Sequence, residues 1–223
     1  MIAQNPTPAF PLLNTIGAAV TNELANLATQ LQQCTVQVKD RYGGIGSGVI
    51  WNINGLVITN AHVMRSYQAT VTLANHRVCN AIEIARDPQL DLAVLRLHQD
   101  VGDLPHAIAA NSDCLRVGEL AIAVGNPLGI VGALNTGIVT GVPYPRNFTN
   151  ARSKFKCQFS DRPWIVSDVQ LAPGNSGGLL ADARGRAIGI NTMIVNGLAL
   201  AIPSNTVETF LHDSPARPYF DVR

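Results

Sequence analysis

At 223 residues the chain can form one large domain or two small ones. Apolar residues make up 47% and charged residues only 14%, so core material is ample and charge is sparse. A net charge of +1 gives no electrostatic footing for nucleic acid or an anionic membrane surface, and the densest basic patch, "ARSKFK" at 151–156, reads as a solvated loop.

Residues 1–13 carry three prolines and little charge, which reads as an irregular arm. From Thr15 to Gln33 the apolar positions Ile16, Val20, Leu24, Leu27 and Leu31 recur at threes and fours, the period of an amphipathic helix. The rhythm then changes. "CTVQVKD", "GSGVIWN", "GLVITNA", "ATVTLAN", "DLAVLRL" and "ELAIAVG" are short β-rich runs separated by Gly, Asn, Asp and Pro. A break near 110–118, "ANSDCLRVG", divides the chain. "NTGIVTGV", "WIVSDVQL", "GGLLAD", "RAIGINTMIV" and "LALAIP" form a second series. The class is all-β, with two barrels or one sandwich as the architectures that fit. Asn54-Gly55 and Arg184-Gly185 fit hairpin turns. Residues 143–164 form the longest irregular segment, and loops of that length are often functional. "SNTVETFLHD" reads as a short closing helix with Ser204 as its N-cap.

Cys34, Cys79, Cys114 and Cys157 lie far apart, with no CxxC pair and no histidine cluster, so neither a zinc site nor any other metal or cofactor is expected. Two disulfides would use all four, but with Cys34 and Cys114 among residues expected to be buried, free thiols are the preferred reading. No basic stretch followed by an apolar run marks a signal peptide, and no stretch is apolar enough for a membrane span. The compartment therefore stays open.

The stretch "APGNSGGLL" at 172–180 surrounds Ser176 with glycines. A polar turn would explain Pro173-Gly174. A catalytic elbow would explain the whole stretch, because bare backbone N–H groups beside a hydroxyl can hold an oxyanion. Such a serine needs a base. His76, His98, His106 and His212 sit in polar or turn-like surroundings, whereas His62 emerges at the end of the buried run "GLVITNA". An imidazole base needs an acceptor to fix its tautomer. Asp87, in "RDPQ", is explained by capping a turn. Asp91 opens the apolar run "DLAVLRL" and is the better choice, because a carboxylate at the edge of a core needs a partner. The chain order His62, Asp91, Ser176 belongs to the chymotrypsin arrangement.

Taken together, "GSGVIWNINGLVITNAHV", "DLAVLRL", "AVGNPLG", "NTGIVTG", "PGNSGG", "GINT" and "AIPSNTV" resemble the HtrA/Deg family of trypsin-like serine proteases, over roughly residues 24–212. The resemblance implies two six-stranded β-barrels of the chymotrypsin type, at about 34–112 and 113–203, within a protease domain spanning 34–212. An arm and helix (1–33) precede it, and a short closing helix ends it. It also implies His62 as general base, Asp91 as its orienting acid and Ser176 as nucleophile. The oxyanion hole would lie at Gly174, Asn175 and Ser176, through the N–H groups of Gly174 and Ser176.

The implied specificity pocket places Leu171 and Leu198 against the substrate side chain, with Ile190 and Ala199 nearby. Asp168 is the one acidic residue close by. Three features depart from the family's pattern: Leu179 after the double glycine, "GLALAIP" with Ala199 and Leu200, and "DVQLAPGNSGG" before the serine. The implied partners are unfolded polypeptides, and assembly would be a homotrimer through the N-terminal region, with Phe10 as an aromatic contact. The implied compartment is a cell envelope, periplasm or organelle. The tail 213–223 resembles the opening strand of a PDZ domain. Asn175 carries no charge to pair with a freed N-terminus, so switching is expected from the order of loops 143–164 and 192–197. The rival reading is a latent or inactive protease fold used for binding or as a chaperone. An esterase loses because the strand–helix alternation of α/β-hydrolases is missing.

Overall fold

The computed structural model describes residues 11–98, 102–127, 130–142 and 163–220. Twelve strands close into two antiparallel barrels of six. Barrel one contains β1 (Thr35–Asp40), β2 (Ile45–Ile50), β3 (Leu56–Thr59), β4 (Gln68–Thr72), β5 (Val78–Asp87) and β6 (Leu92–Leu97). Barrel two contains β7 (Leu120–Gly125), β8 (Ala133–Gly141), β9 (Ile165–Ser167), β10 (Leu179–Ala181), β11 (Ala187–Val195) and β12 (Leu198–Pro203). Among the described residues three α-helices flank them: α1 (Pro11–Gln33), α2 (Ser204–Asp213) and α3 (Arg217–Phe220). The sandwich alternative is thereby excluded, since neither sheet is left open.

The near-continuous apolar runs follow from burial on both faces of a strand. On β3, Val57 faces the interior of barrel one beside Val38, Val71 and Leu95. Its neighbours Leu56 and Ile58 face a second core shared with Val124, Leu179, Ile190 and Ile202 of barrel two. Barrel two repeats the scheme: Leu180 points inward with Ile165 and Ile188, and Leu179 points toward barrel one. The shared core is therefore the seam between the barrels, and α1 (Leu31) and α2 (Val207, Phe210, Leu211) cover its margins.

Three local readings need correction. Strand β5 was not recognised, and "ELAIAVG", grouped with the first series, is β7 of barrel two. β5 alternates imperfectly because its ladder shifts between Glu83 and Ala85. Ser204 is not the N-cap of α2. Pro203 holds that position without a side-chain bond, and the Ser204 hydroxyl donates to the Ala110 carbonyl at 2.7 Å. Cys114 is exposed, not buried.

The tail is helical at Arg217–Phe220 where a strand was expected. It docks on barrel one, with the Arg96 guanidinium 4.4 Å from the Tyr219 ring centre and Asn52 Nδ2 donating to the Tyr219 carbonyl at 2.9 Å. α1 begins at Pro11, earlier than the periodicity implies, since Pro is well tolerated in a first turn. Gly55 and Gly185 supply the positive φ of the β2–β3 and β10–β11 turns. A Cβ at Gly185 would strike Leu27, so that glycine also lets α1 lie close. Within 192–197, Met193, Ile194 and Val195 pair with β12, Thr192 falls at the register shift, and Asn196 and Gly197, both at positive φ, join β11 to β12 in a tight hairpin. Most of the 143–164 segment, Phe10 and Cys157 lie outside the described residues.

Candidate active site

His62 sits in a single 3-10 turn, Ala61–Val63, immediately after β3. Its Nδ1 lies 2.8 Å from Asp91 Oδ2, and its backbone N–H donates to Asp91 Oδ1 at 3.0 Å. Both carboxylate oxygens are thus engaged by one residue, which orients the ring and leaves Nε2 directed outward. Asp91 precedes β6 with φ +58, an uncommon conformation for a residue with a Cβ. Its carbonyl holds that geometry by accepting from Ala61 N–H (3.1 Å) and Asn60 Nδ2 (3.0 Å). The other aspartate is occupied elsewhere: Asp87 Oδ1 accepts from the N–H groups of Gln89 and Leu90, closing a turn. The structure brings His62 together with Asp91 and not with Asp87.

Ser176 lies in the turn before β10, with its hydroxyl donating to the Thr192 carbonyl at 3.0 Å. Among the described residues it makes no bond to His62. The two are nevertheless neighbours through β11, because Asn60, two residues before His62, donates to Thr192 Oγ1 at 3.1 Å. The surrounding backbone is crowded. Gly174 (φ +103) and Gly177 (φ +82) take conformations that favour glycine. A Cβ on Gly177 would collide with the Ser47 carbonyl and Thr59 Oγ1, and one on Gly46 would press on the Ser176 carbonyl. Within the turn, Asn175 N–H donates to Ala172 O and Gly177 N–H donates to Asn191 O. Among the described residues, the N–H groups of Gly174 and Ser176 have no protein acceptor, and those two donors flank the Ser176 hydroxyl.

The residues expected at the specificity pocket do not form one wall. Leu171 packs against the interior of barrel two, where Ala199 is also buried. Ile190 is fully buried in the seam, and Leu198 is 38% exposed at the β11–β12 hairpin. Asp168 is exposed and accepts from Ile138 N–H at 2.6 Å, stapling β9 to β8. Leu179, a departure from the family's pattern, is wholly buried in the seam.

Ser47 and Asn126 were missed as site residues. Ser47 is fully buried on β2, and its hydroxyl donates to the Gly174 carbonyl at 2.7 Å while accepting from Asn126 N–H at 2.8 Å. The sequence signal was their place in the stretches "GSGVIWN" and "AVGNPLG". Among the described residues no cluster of His, Cys, Asp or Glu could hold a metal ion, and no helix is long and apolar enough to cross a membrane.

Comparison with known proteins bears on the family and the fold. The family model described as "Trypsin-like peptidase domain" matches residues 46–190. The chain is 34% identical to Protease Do-like 1, chloroplastic, of Arabidopsis thaliana, over 82% of this chain and 42% of that protein. It is 34% identical to the periplasmic pH-dependent serine endoprotease DegQ of Escherichia coli, over 92% of this chain and 48% of that protein. The chain thus spans less than half the length of these curated relatives. Among solved structures it resembles the HtrA-type protease AlgW with tripeptide, at a TM-score of 0.72 and 30% identity, covering 85% of this chain and 62% of that one. The barrel pair and these matches lead to one identity: the chain belongs to the trypsin-like peptidase family, and the relatives it matches are HtrA-type serine proteases.

Proposed function

We propose that this chain is a serine endopeptidase that cleaves unfolded polypeptides through His62, Asp91 and Ser176. The observation that carries the reading is the contact of both Asp91 carboxylate oxygens with His62. It fixes the proton on Nδ1 and leaves Nε2 as the free base. Ser176 Oγ attacks the scissile carbonyl carbon while its proton passes to His62 Nε2. The N–H groups of Gly174 and Ser176 hold the oxyanion. His62 then returns the proton to the leaving amine, and water repeats the cycle on the acyl-enzyme. For this the Ser176 hydroxyl must leave the Thr192 carbonyl and rotate toward His62. That resting bond is also the one observation favouring the latent reading.

Fluorophosphonate labelling separates the two. An active enzyme labels at Ser176, and Ser176→Ala abolishes labelling and casein digestion while keeping the fold. A wild-type protein that never labels would leave the binding reading standing.

The pocket is read as apolar and small, favouring cleavage after valine, alanine or leucine. Support comes from Leu171, half-buried against the interior of barrel two, and from Asp168, whose Oδ1 is already taken by Ile138 N–H. Assembly through the N-terminal region is supported by Val20 (53% exposed) and Leu24 (40% exposed), which continue the stripe of Leu27 and Leu31 uncovered. Sedimentation of wild type against Val20→Ser/Leu24→Ser reads this directly. The chloroplastic and periplasmic names of the relatives favour an organelle or envelope compartment.

A further inference from the structure

We infer that Ser47 is a positioning residue for the oxyanion hole, holding the nucleophile turn of barrel two from a strand of barrel one. The inference rests on the proposed protease reading. Several hydrogen bonds converge on this buried residue. Its hydroxyl donates its single proton to the Gly174 carbonyl (2.7 Å) and accepts from Asn126 N–H (2.8 Å). Its backbone N–H donates to the Ser176 carbonyl (2.8 Å), and its own carbonyl accepts from Thr59 Oγ1 (2.7 Å). The two residues it grips in barrel two, Gly174 and Ser176, are those whose N–H groups are left without a protein acceptor.

The geometry explains why a grip is needed. Gly174 has no Cβ to restrict it, so its flanking peptide planes turn at little cost. Pinning the Gly174 carbonyl fixes one of those planes, and pinning the Ser176 carbonyl fixes the far end of the same turn. The Asn175 N–H, tied to Ala172 O, closes it in the middle. Asn126 in turn keeps the Ser47 hydroxyl from swinging, since its backbone N–H (2.8 Å) and, at longer range, its Nδ2 (3.4 Å) both donate to the Ser47 oxygen. Asn126 is itself fully buried, and its Oδ1 accepts from Gly132 N–H at 3.0 Å. Crowding removes alternatives: a Cβ on Gly125 would meet both the Asn175 side chain and Ser47 Oγ. Without the Ser47 hydroxyl, a buried carbonyl and a buried N–H both lose their partner. The turn is then free to rotate a hole donor out of line.

The substitution Ser47→Ala tests this on the intact chain, with a peptide p-nitroanilide ending in valine as substrate and a peptide boronate as mimic of the tetrahedral state. Losing one oxyanion donor outright costs about 10²–10³ in kcat. Loosening its position should cost roughly 10–100-fold, with KM shifted less than about threefold and boronate affinity falling in parallel with kcat. Ser47→Cys, a weaker donor of similar shape, should fall between wild type and alanine, and it decides the matter if the alanine variant does not fold. A kcat retained within about threefold overturns the inference. So does a loss seen in KM, or boronate binding that stays tight per folded molecule. Wild type that neither labels with fluorophosphonate nor binds the boronate would instead remove the protease reading and this inference with it.

Discussion

At the scale of single residues, Asp91 shows how an uncommon backbone conformation is held against local preference. Its positive φ is tolerated because its carbonyl and carboxylate each accept two hydrogen bonds from the His62 turn. Asp91→Asn should favour the wrong imidazole tautomer and lower turnover by about 10⁴. Asp87→Asn should leave kcat nearly unchanged, because Asp87 only closes its own turn. Steady-state kinetics of the pair reads the contrast, and the reverse ranking would mean that Asp91 does not orient the base.

The cysteines separate in the same way. Cys34 is buried, and burial pushes its thiol up to about 11, against partial relief from hydrogen bonds. Cys114 is exposed. Alkylation of native protein at pH 8, mapped by mass spectrometry, should modify Cys114 quickly and Cys34 only on unfolding.

At the scale of elements, the end of β1 carries a buried carboxylate that organises a neighbouring segment. Asp40 accepts from Tyr42 N–H, Arg65 N–H, Ser66 N–H and the Ser66 hydroxyl. Burial alone would raise its pKa, but these four donors outweigh burial and hold it below the ordinary aspartate value. A folded pKa below the unfolded one means the stabilisation is present above the unfolded value of about 3.9 and disappears as pH falls through the folded value. Asp40→Asn should destabilise at pH 7 by about 1.5–3 kcal/mol, the range for bonds to a charged group. It should also weaken the loss of stability on acidification. Thermal melts of both proteins at pH 7 and pH 3 check the sign; an equal drop in both would show that Asp40 does not contribute to the acid limb.

Across the whole molecule, the seam between the barrels makes them one cooperative object. Trp51 of barrel one and Trp164 of barrel two both enter it. Fluorescence and far-UV dichroism should therefore report a single coincident unfolding transition. Leu179→Ala, at the centre of the seam, should cost about 2–5 kcal/mol and lower that one transition. Two separated transitions would show that the barrels are stable independently. A hydrogen-bond path also runs from α1 to the Ser176 turn. Gln32 of α1 donates to the Gly132 carbonyl at 2.7 Å, Gly132 N–H donates to Asn126, and Asn126 N–H donates to Ser47.

Local chemistry was enough to read much of this from the chain itself. Glycines around Ser176, a histidine at the end of a buried run and an aspartate before another are short-range patterns, and each needs only its neighbours to be recognised. The helix from Thr15 and most strands announced themselves by apolar spacing for the same reason. β5 did not, because its charged residues and shifted ladder make sense only beside β4 and β6. Ser47 did not either: a small hydroxyl between glycines looks like any turn residue until folding brings Gly174, 127 positions away, within 2.7 Å. The direction of the Ser176 hydroxyl and the deep burial of Ile190 were likewise settled by packing between strands distant in sequence. Which side chains are proposed to carry the chemistry was written locally, whereas what aims them depends on contacts that exist only once both barrels have closed.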